Sequence, residues 1–300
     1  MERDEVMVGR IQNITKQISK QRHLLAEGPF WSESEQSLYW VDIPACQVWC
    51  WNQTTGEHLF WTLPQKVSAV FTTQSNRLLV TLADGVAYLD RETSELEYLC
   101  FLDDDIPNNR SNDAKCDPEG NLWVGTMDDS EVLSTGRLWK VYPTGQTEKL
   151  LDHIGISNTL AWDTERGIFY FGDSMKGKIH AFPFPAFDDI RADNAFIKTP
   201  EGMGPDGSAI DIEGCLWNAQ WGGSRVVRYS PEGEELQVIN LPFAKPTSCA
   251  FGGPNGNTLF ITSASVETSE TELENGPLAG HVIAIDVAVQ GMASQVFSGA

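Results

Sequence analysis

The fold of this chain is decided by one stretch, Gly204-Pro205-Asp206-Gly207-Ser208-Ala209-Ile210-Asp211, which is followed by Gly214-Cys215-Leu216-Trp217. The stretch reads as a polar residue, a short apolar strand, an acidic turn and a second strand that begins with Leu-Trp. The same order of residue types recurs in residues 112–123 and 158–170. The chain therefore contains an internal repeat, and each copy is expected to fold as one supersecondary unit.

Six units of this repeat follow one another along the chain. Each unit carries a third strand and, in most cases, turn residues and a fourth strand. The second strands lie about 40–47 residues apart and begin at Leu38, Leu78, Leu122, Phe169, Leu216 and Leu259. A period of about 40–50 residues with four strands per unit is typical of β-propeller blades. The sequence predicts an all-β fold, a six-bladed β-propeller with four antiparallel strands per blade.

We expect one propeller domain over residues 1–300, in which about residues 1–20 form an N-terminal extension or closing segment. Residues 11–20 fit a frayed helix and an edge strand equally badly. Residues 20–25 and 295–297 are expected to supply strands to one blade, because such strands would close the ring and remove its free edge.

Composition argues against several classes of partner. The chain has 42 acidic and 21 basic residues, a formal net charge of −21, which repels phosphate backbones and anionic membrane surfaces. We therefore expect no nucleic-acid and no membrane partner. No apolar run resembles a secretory signal or reaches the roughly 20 residues of a membrane span. This predicts a cytoplasmic protein with its six cysteines reduced; the oligomeric state stays open.

The start of the innermost strand in each unit carries a side-chain oxygen. Counting back five residues from each first turn gives Glu27, Ser68, Asn112, Asn158, Asp206 and Ser248. If these positions are equivalent, they form a ring at the mouth of the channel. Carboxylate and amide oxygens without Cys or His favour one divalent cation, Ca²⁺, Mg²⁺ or Mn²⁺, and Zn²⁺ also accepts carboxylates. The simpler alternative is that strand starts are ordinary polar turn positions.

An ordered set of motifs resembles a known family, that of gluconolactonase, regucalcin (senescence marker protein) and the luciferin-regenerating enzyme. The resemblance covers roughly residues 24–290, and Trp221-Gly222-Gly223 is similar to the bacterial sugar-lactonase branch. It rests on Glu27-Gly28-Pro29, Val41-Asp42-Ile43-Pro44, Arg110-Ser111-Asn112-Asp113, Asp117-Pro118-Glu119-Gly120, Gly125-Thr126-Met127, Ile156-Ser157-Asn158, Pro205-Asp206-Gly207 and Cys249-Ala250-Phe251-Gly252-Gly253.

The resemblance implies a six-bladed propeller whose metal is held by Glu27, Asn158 and Asp206. It also implies that Arg110 and Asn112 contact a sugar lactone. In some members a further acidic residue just after the Gly-Thr-Met motif contacts the substrate. Here the closest alignment puts Ser130 at that position, and Asp129 is the acidic residue beside it. We name Asp129 as the candidate, and the choice between Asp129 and Ser130 stays open.

These residues predict metal-dependent hydrolysis of a sugar lactone, such as glucono-, galactono-, arabinono- or xylonolactone, to the aldonic acid. A metal polarises the carbonyl and activates water, and Asp206 is the candidate general base. One alternative is a phosphotriesterase-like hydrolase on the same metal site, and another is a non-enzymatic calcium-binding propeller. Whether Trp221 lines the pocket stays open, whereas His153 is interpreted as a surface or structural residue.

Overall fold

The computed structural model describes residues 14–185 and 195–299, and almost all of its regular structure is strand. The described strands form six four-stranded antiparallel sheets. The first strand of each sheet packs against the first strands of the two neighbouring sheets, so these six strands form a closed ring around a channel. The prediction of a six-bladed propeller with four antiparallel strands per blade is confirmed.

The chain forms its blades in order, each from the channel outward. Strand β1 (Lys16–Gln17) comes first. Blade 1 holds β2 (Ala26–Ser32), β3 (Ser37–Asp42), β4 (Gln47–Asn52) and β5 (His58–Thr62). Blade 2 holds β6 (Val67–Thr72), β7 (Arg77–Leu82), β8 (Gly85–Asp90) and β9 (Leu96–Phe101). Blade 3 holds β10 (Asn109–Cys116), β11 (Leu122–Asp128), β12 (Gly136–Val141) and β13 (Thr147–Ile154).

The remaining blades follow the same order. Blade 4 holds β14 (Ser157–Asp163), β15 (Ile168–Asp173), β16 (Lys178–Pro183) and β17 (Ile197–Lys198), with a short 3₁₀ helix (Ser174–Lys176) after β15. Blade 5 holds β18 (Gly204–Ile210), β19 (Leu216–Trp221), β20 (Arg225–Tyr229) and β21 (Glu235–Asn240). Blade 6 holds β22 (Pro246–Gly252), β23 (Thr258–Ser263), β24 (Ile283–Asp286) and, outermost, β1, with helix α1 (Glu270–Asn275) between β23 and β24.

The ring closes in a different way from the one expected. Residues 20–25 and 295–297 form no strand of a blade; instead β1 pairs with β24, so that Lys16 lies opposite Ala284. Ile18, just after β1, is buried in the core between blades 6 and 1, and this apolar anchor fixes where the closing strand must lie. The part of residues 11–20 that the structure describes therefore acts as an edge strand, while residues 11–13 lie outside the described residues.

The C-terminal segment crosses the end of the channel at which the inner strands finish. The amide of Met292 donates to the carbonyl of Ile210 at 2.9 Å, and the amide of Ser298 donates to the carbonyl of Gly120 at 2.9 Å. Between these bonds, Phe297 is fully buried in the core shared by blades 1 to 3. The expected C-terminal strand is thus replaced by a strap that is held by a few bonds and one aromatic anchor.

The hydrogen bonds of an acidic turn explain why blades 3 and 5 have the same residue types at this point of the repeat. In blade 5, Asp211 Oδ1 accepts from the amides of Glu213 and Cys215 at 2.9 and 3.0 Å, while Oδ2 accepts from Trp217 Nε1 at 2.8 Å. In blade 3, Asp117 makes the same bonds with the amides of residues 119 and 121 and with Trp123 Nε1. One buried carboxylate therefore closes the turn and orients the tryptophan that packs between blades.

Every inner strand carries an extra residue relative to its partner strand, which is a β-bulge near its start. The register shifts by one between Glu27 and Phe30 in β2, and between Pro205 and Ser208 in β18. Equivalent shifts occur in the inner strands of the other four blades. The bulge changes the direction of the side chains at this point, so it decides which residues face the axis.

Two other predictions can be compared with the described chain. All six cysteines are free in the structure, and four of them are buried. Neither of the helices in residues 14–185 and 195–299 has the length and apolar character needed to cross a bilayer.

We expect Asp211→Ala to lower the free energy of unfolding by roughly 3 kcal/mol, because it leaves buried N–H donors and the Arg228 guanidinium without their acceptor. Urea denaturation measures the change. The control is Asp104→Ala at an exposed turn, which should change stability by less than about 0.5 kcal/mol. Equal effects of the two substitutions would show that the acidic turn does not stabilise the blade.

Candidate active site

One cavity of about 220 Å³ opens at the end of the channel where the inner strands begin. Residues of blades 1, 3, 4 and 5 form most of its wall. Its polar lining consists of Glu27, Arg110, Asn112, Glu131, Asn158, Ser174 and Asp206, and its apolar lining includes Met127, Ile156 and Trp221. The structure therefore brings together five of the six residues predicted for metal, catalysis and substrate, and it places Trp221 in the same wall.

The strand registers show which members of the predicted ring are equivalent. Glu27, Asn112, Asn158 and Asp206 each stand at the bulge of their strand, and all four line the cavity. Ser68 also stands at its bulge, but its hydroxyl is bonded to Ser111 Oγ at 2.7 Å and to Thr81 Oγ1 at 2.8 Å.

The sixth ring position was misassigned by one residue. Thr247, not Ser248, is the extra residue in β22, and its hydroxyl donates to the carbonyl of Ala26 at 2.6 Å. Ser248 lines a different cavity further along the channel. The error arose because the turn after β22 runs through Gly252-Gly253-Pro254 and is longer than the acidic turns from which the positions were counted. The ring is therefore four long polar side chains and two short hydroxyls that bridge neighbouring strands.

Two carboxyl groups meet in the cavity. Asp206 is buried, Glu27 is partly exposed to the cavity, and their carboxyl groups are close enough to affect each other's pKa. Burial raises the pKa of Glu27 to about 8, and the negative charge of Asp113 contributes to the rise. Burial, Glu27 and Asp113 together raise the pKa of Asp206 well above its ordinary value. Two such groups cannot both ionise cheaply without a cation between or beside them.

Asn158 is held so that one of its polar atoms is engaged and the other is nearly free. Its Nδ2 donates to Ser174 Oγ at 2.8 Å, and the Ser174 hydroxyl in turn donates to the carbonyl of Pro205 at 2.6 Å. Its Oδ1 receives only a long 3.4 Å contact from Asn112 Nδ2. The amide oxygen of Asn158 therefore retains capacity to bind a further partner.

Arg110 belongs to an ion-pair chain at the cavity wall, in which Asp129 lies between Arg110 and Lys66. Its Nε donates to Asp129 Oδ1 at 2.7 Å, and one of its terminal nitrogens donates to Asn112 Oδ1 at 2.9 Å. Lys66 Nζ lies 2.6 Å from the same Asp129 oxygen. The Ser130 hydroxyl donates instead to Asp128 Oδ2 at 2.7 Å. Asp129 is therefore the member of the Asp129–Ser130 pair that contacts Arg110, although it is not part of the cavity lining itself.

The predictions for two other residues are settled by their surroundings. Trp221 lines the cavity, and Lys245 Nζ lies 5.3 Å from the centroid of its ring. His153 leaves 88% of its side chain exposed, which confirms its interpretation as a surface residue.

The donor set fits a hard divalent cation. The carboxylates of Glu27 and Asp206 and the amide oxygen of Asn158 are all oxygen donors, and burial raises the pKa of both carboxyl groups. Residues 14–185 and 195–299 contain no group of three or more His, Cys, Asp or Glu side chains that could hold a metal. A cation at this site would therefore depend on the mixed set of two carboxylates and an amide.

Comparison with known proteins identifies the family of the chain. A family model described as "SMP-30/Gluconolactonase/LRE-like region" matches residues 25–265. The chain belongs to this family. The regucalcin of Macaca fascicularis is 33% identical over 282 residues, which cover 91% of this chain and 94% of the relative. The 6-deoxy-6-sulfogluconolactonase of Pseudomonas putida is 32% identical over 286 residues, which cover 95% of this chain and 98% of the relative.

The fold of the family is also found among solved structures. The calcium-binding protein regucalcin from Agrobacterium tumefaciens superposes with a TM-score of 0.88 at 28% identity, covering 94% of this chain and 96% of that one. The resemblance stated from the motifs is thereby confirmed at the level of the family and of the whole propeller.

Sequence reasoning missed two residues that touch the candidate ligands. Ser174 follows the end of β15, and Thr159 directly follows Asn158 in β14. Thr159 Oγ1 donates to the carbonyl of Asp206 at 2.5 Å. Ser174 stands in a loop that the repeat pattern does not align. Thr159 could have been noticed as a polar, β-branched residue at a bulge where blade 1 of the same repeat has Gly28.

The stability of the protein in the presence of a chelator should depend on pH, because Glu27 gains or loses a proton. A carboxyl whose pKa is raised in the folded state binds its proton more tightly there, so its contribution to stability is lost as pH rises. We expect the free energy of unfolding of the wild type to fall relative to that of Glu27→Gln between pH 4.5 and about 8. Thermal unfolding in chelator across this range measures it. The exposed control Glu33→Gln should follow the wild type, and parallel curves for all three proteins would contradict the expectation.

Proposed function

We propose that this protein is a metal-dependent lactonase that hydrolyses a sugar lactone to the aldonic acid. The observation that carries the proposal is the convergence of Glu27, Asn158, Asp206, Arg110 and Asn112 in one cavity at the channel mouth. Membership of the gluconolactonase-like family and the similarity to a sulfogluconolactonase support the reaction class.

The ligands proposed for one divalent cation are Glu27, Asn158 and Asp206. A divalent cation bound there supplies a Lewis acid that polarises a carbonyl and makes a nearby water more acidic. The all-oxygen set favours Ca²⁺, Mg²⁺ or Mn²⁺ over Zn²⁺. The name of the related Agrobacterium protein, a calcium-binding regucalcin, supports Ca²⁺ as the first cation to test.

Asp206 is the proposed general base. Its carboxylate lies in the cavity, and the amide of Gly207 donates to its Oδ1 at 3.0 Å, which holds the group in place. A carboxylate that binds a cation can also accept a proton from a water beside that cation. Asp206 would accept the proton of the water that attacks the lactone carbonyl. Glu27 would remain the second carboxylate ligand of the cation.

Arg110 and Asn112 are proposed to orient the lactone ring by hydrogen bonds. The Arg110 charge is already compensated by Asp129, which Lys66 also contacts. A compensated cation favours hydroxyl groups over a second anion, so a neutral lactone is the expected substrate and an anionic aldonate the released product. Trp221 and Met127 form an apolar wall that helps to exclude water from the reacting carbonyl.

The central test is hydrolysis of five- and six-membered aldonolactones after chelation and after adding back Ca²⁺, Mg²⁺, Mn²⁺ or Zn²⁺ separately. We expect chelation to abolish turnover and Asp206→Asn to lower kcat/KM by about 10²-fold or more in metal-loaded protein, since a proposed ligand and base is lost. Asp104→Asn, at an exposed turn, is the matched control and should turn over like the wild type.

Retained hydrolysis in Asp206→Asn or in metal-free protein would overturn the proposal. Tight Ca²⁺ binding without hydrolysis of any lactone would instead support the calcium-binding propeller. Greater activity on neutral organophosphates than on every lactone would support the phosphotriesterase-like hydrolase.

The KM values of two variants show whether Asp129 or Ser130 contributes to substrate binding. We expect Asp129→Asn to raise KM about tenfold, equivalent to roughly 1.4 kcal/mol, because Arg110 loses the anion that fixes its guanidinium. Ser130→Ala should leave KM close to the wild-type value, since its hydroxyl is bonded to Asp128. Steady-state kinetics on the best lactone decide, and the reverse order would assign the substrate contact to Ser130.

A further inference from the structure

Two hydroxyl groups of blade 4 hold the backbone of Asp206 from both sides. Ser174 Oγ donates to the carbonyl of Pro205 at 2.6 Å, and Thr159 Oγ1 donates to the carbonyl of Asp206 at 2.5 Å. These carbonyls belong to the two peptide groups that flank the Asp206 Cα. The position of the Asp206 carboxylate is thus tied to blade 4 rather than to its own blade alone.

The backbone of Thr159 is strained, which points to a role for its side chain. Its φ is +55°, a left-handed conformation that β-branched residues rarely adopt. The equivalent position in blade 1 is Gly28, with φ +53°. A strained residue at a candidate site is a reason to look for function, and here the side chain supplies what glycine would lack.

The Thr159 hydroxyl lies in a buried network beneath the site. Besides donating to Asp206, it accepts from Asn218 Nδ2 at 3.2 Å and from Ser208 Oγ at 3.3 Å. Asn218 Nδ2 also donates to the Asp206 carbonyl at 2.8 Å. Because Thr159, Ser208 and Asn218 are completely buried, these bonds are protected from competing water.

Ser174 connects the same backbone to the side chain of Asn158. It accepts from Asn158 Nδ2 at 2.8 Å while it donates to Pro205. Its own backbone is fixed, because its amide donates to the carbonyl of Ile156 at 3.0 Å, and Asp173 accepts from the amides of Gly155 and Ile156. One hydroxyl therefore contacts both a candidate amide ligand and the strand that carries a candidate carboxylate ligand.

We propose that Thr159 and Ser174 are positioning residues that set the distance between the Asp206 carboxylate and the Asn158 amide oxygen. The inference rests on the proposed metal site and deepens it. Thr159 lies beneath the cavity and Ser174 lies in its wall, and both act through Asp206 and Asn158. Removing either hydroxyl allows Asp206 to move relative to Asn158, and the affinity for a divalent cation falls.

The test measures Mn²⁺ and Ca²⁺ binding to chelator-treated protein by calorimetry, which does not depend on turnover. Thr159→Val keeps the methyl group and removes the hydroxyl, whereas Thr159→Ser keeps the hydroxyl and removes the methyl group. We expect Thr159→Val and Ser174→Ala each to weaken binding about 10–100-fold, the range seen when a residue that orients a ligand is lost. Thr159→Ser should bind nearly as tightly as the wild type.

The matched control is Thr81→Val, which removes a buried hydroxyl bonded to Ser68 in blade 2, outside the cavity lining. It should unfold at a lower temperature but bind cations like the wild type. Two outcomes would overturn the inference alone. In the first, Thr159→Val and Ser174→Ala bind cations as tightly as Thr81→Val; in the second, Thr159→Ser binds more weakly than Thr159→Val. No binding by the wild type would overturn it together with the proposed metal site.

Discussion

One extra residue interrupts the innermost strand of every blade, and the site depends on this interruption. A regular strand alternates its side chains between two faces, so a whole row of residues would face the neighbouring blades. The bulge breaks the alternation near the start of each strand and turns one residue toward the axis. Because all six inner strands carry it at the same level, side chains that are distant in sequence meet in one place.

The carboxyl groups that meet there are electrostatically unfavourable unless a cation is bound beside them. Glu27 and Asp206 share a small cavity with Asp113 close enough to raise both of their pKa values, in a chain whose formal charge is already −21. A folded protein keeps such a group of carboxyls only where something offsets the cost. The well-packed apolar cores between blades supply the stability that tolerates it, and the same rigidity holds the carboxyls in reach of a cation.

The periodic features of the sequence were sufficient to predict the fold, but they predicted only part of the site. The acidic turns at Asp117 and Asp211 are local, because one carboxylate bonds amides two and four residues later, so a pattern search finds them. Thr247 was missed because the turn after β22 is longer than the acidic turns from which the ring positions were counted. The closing strand depends on a pairing between distant segments, which local patterns do not encode. Ser174 was missed for the same reason, since its importance arises from the Pro205 carbonyl of another blade.

Closure by β1 has a consequence for how the protein is made. Lys16 is synthesised long before its pairing partner Ala284. Blade 6 therefore cannot complete its sheet until β24 has left the ribosome, and the aromatic anchor Phe297 enters its core later still. Such long-range pairing makes folding slow and leaves strand edges unpaired in the growing chain. The nascent propeller is an open arc, and it closes into a ring only when β24 pairs with β1.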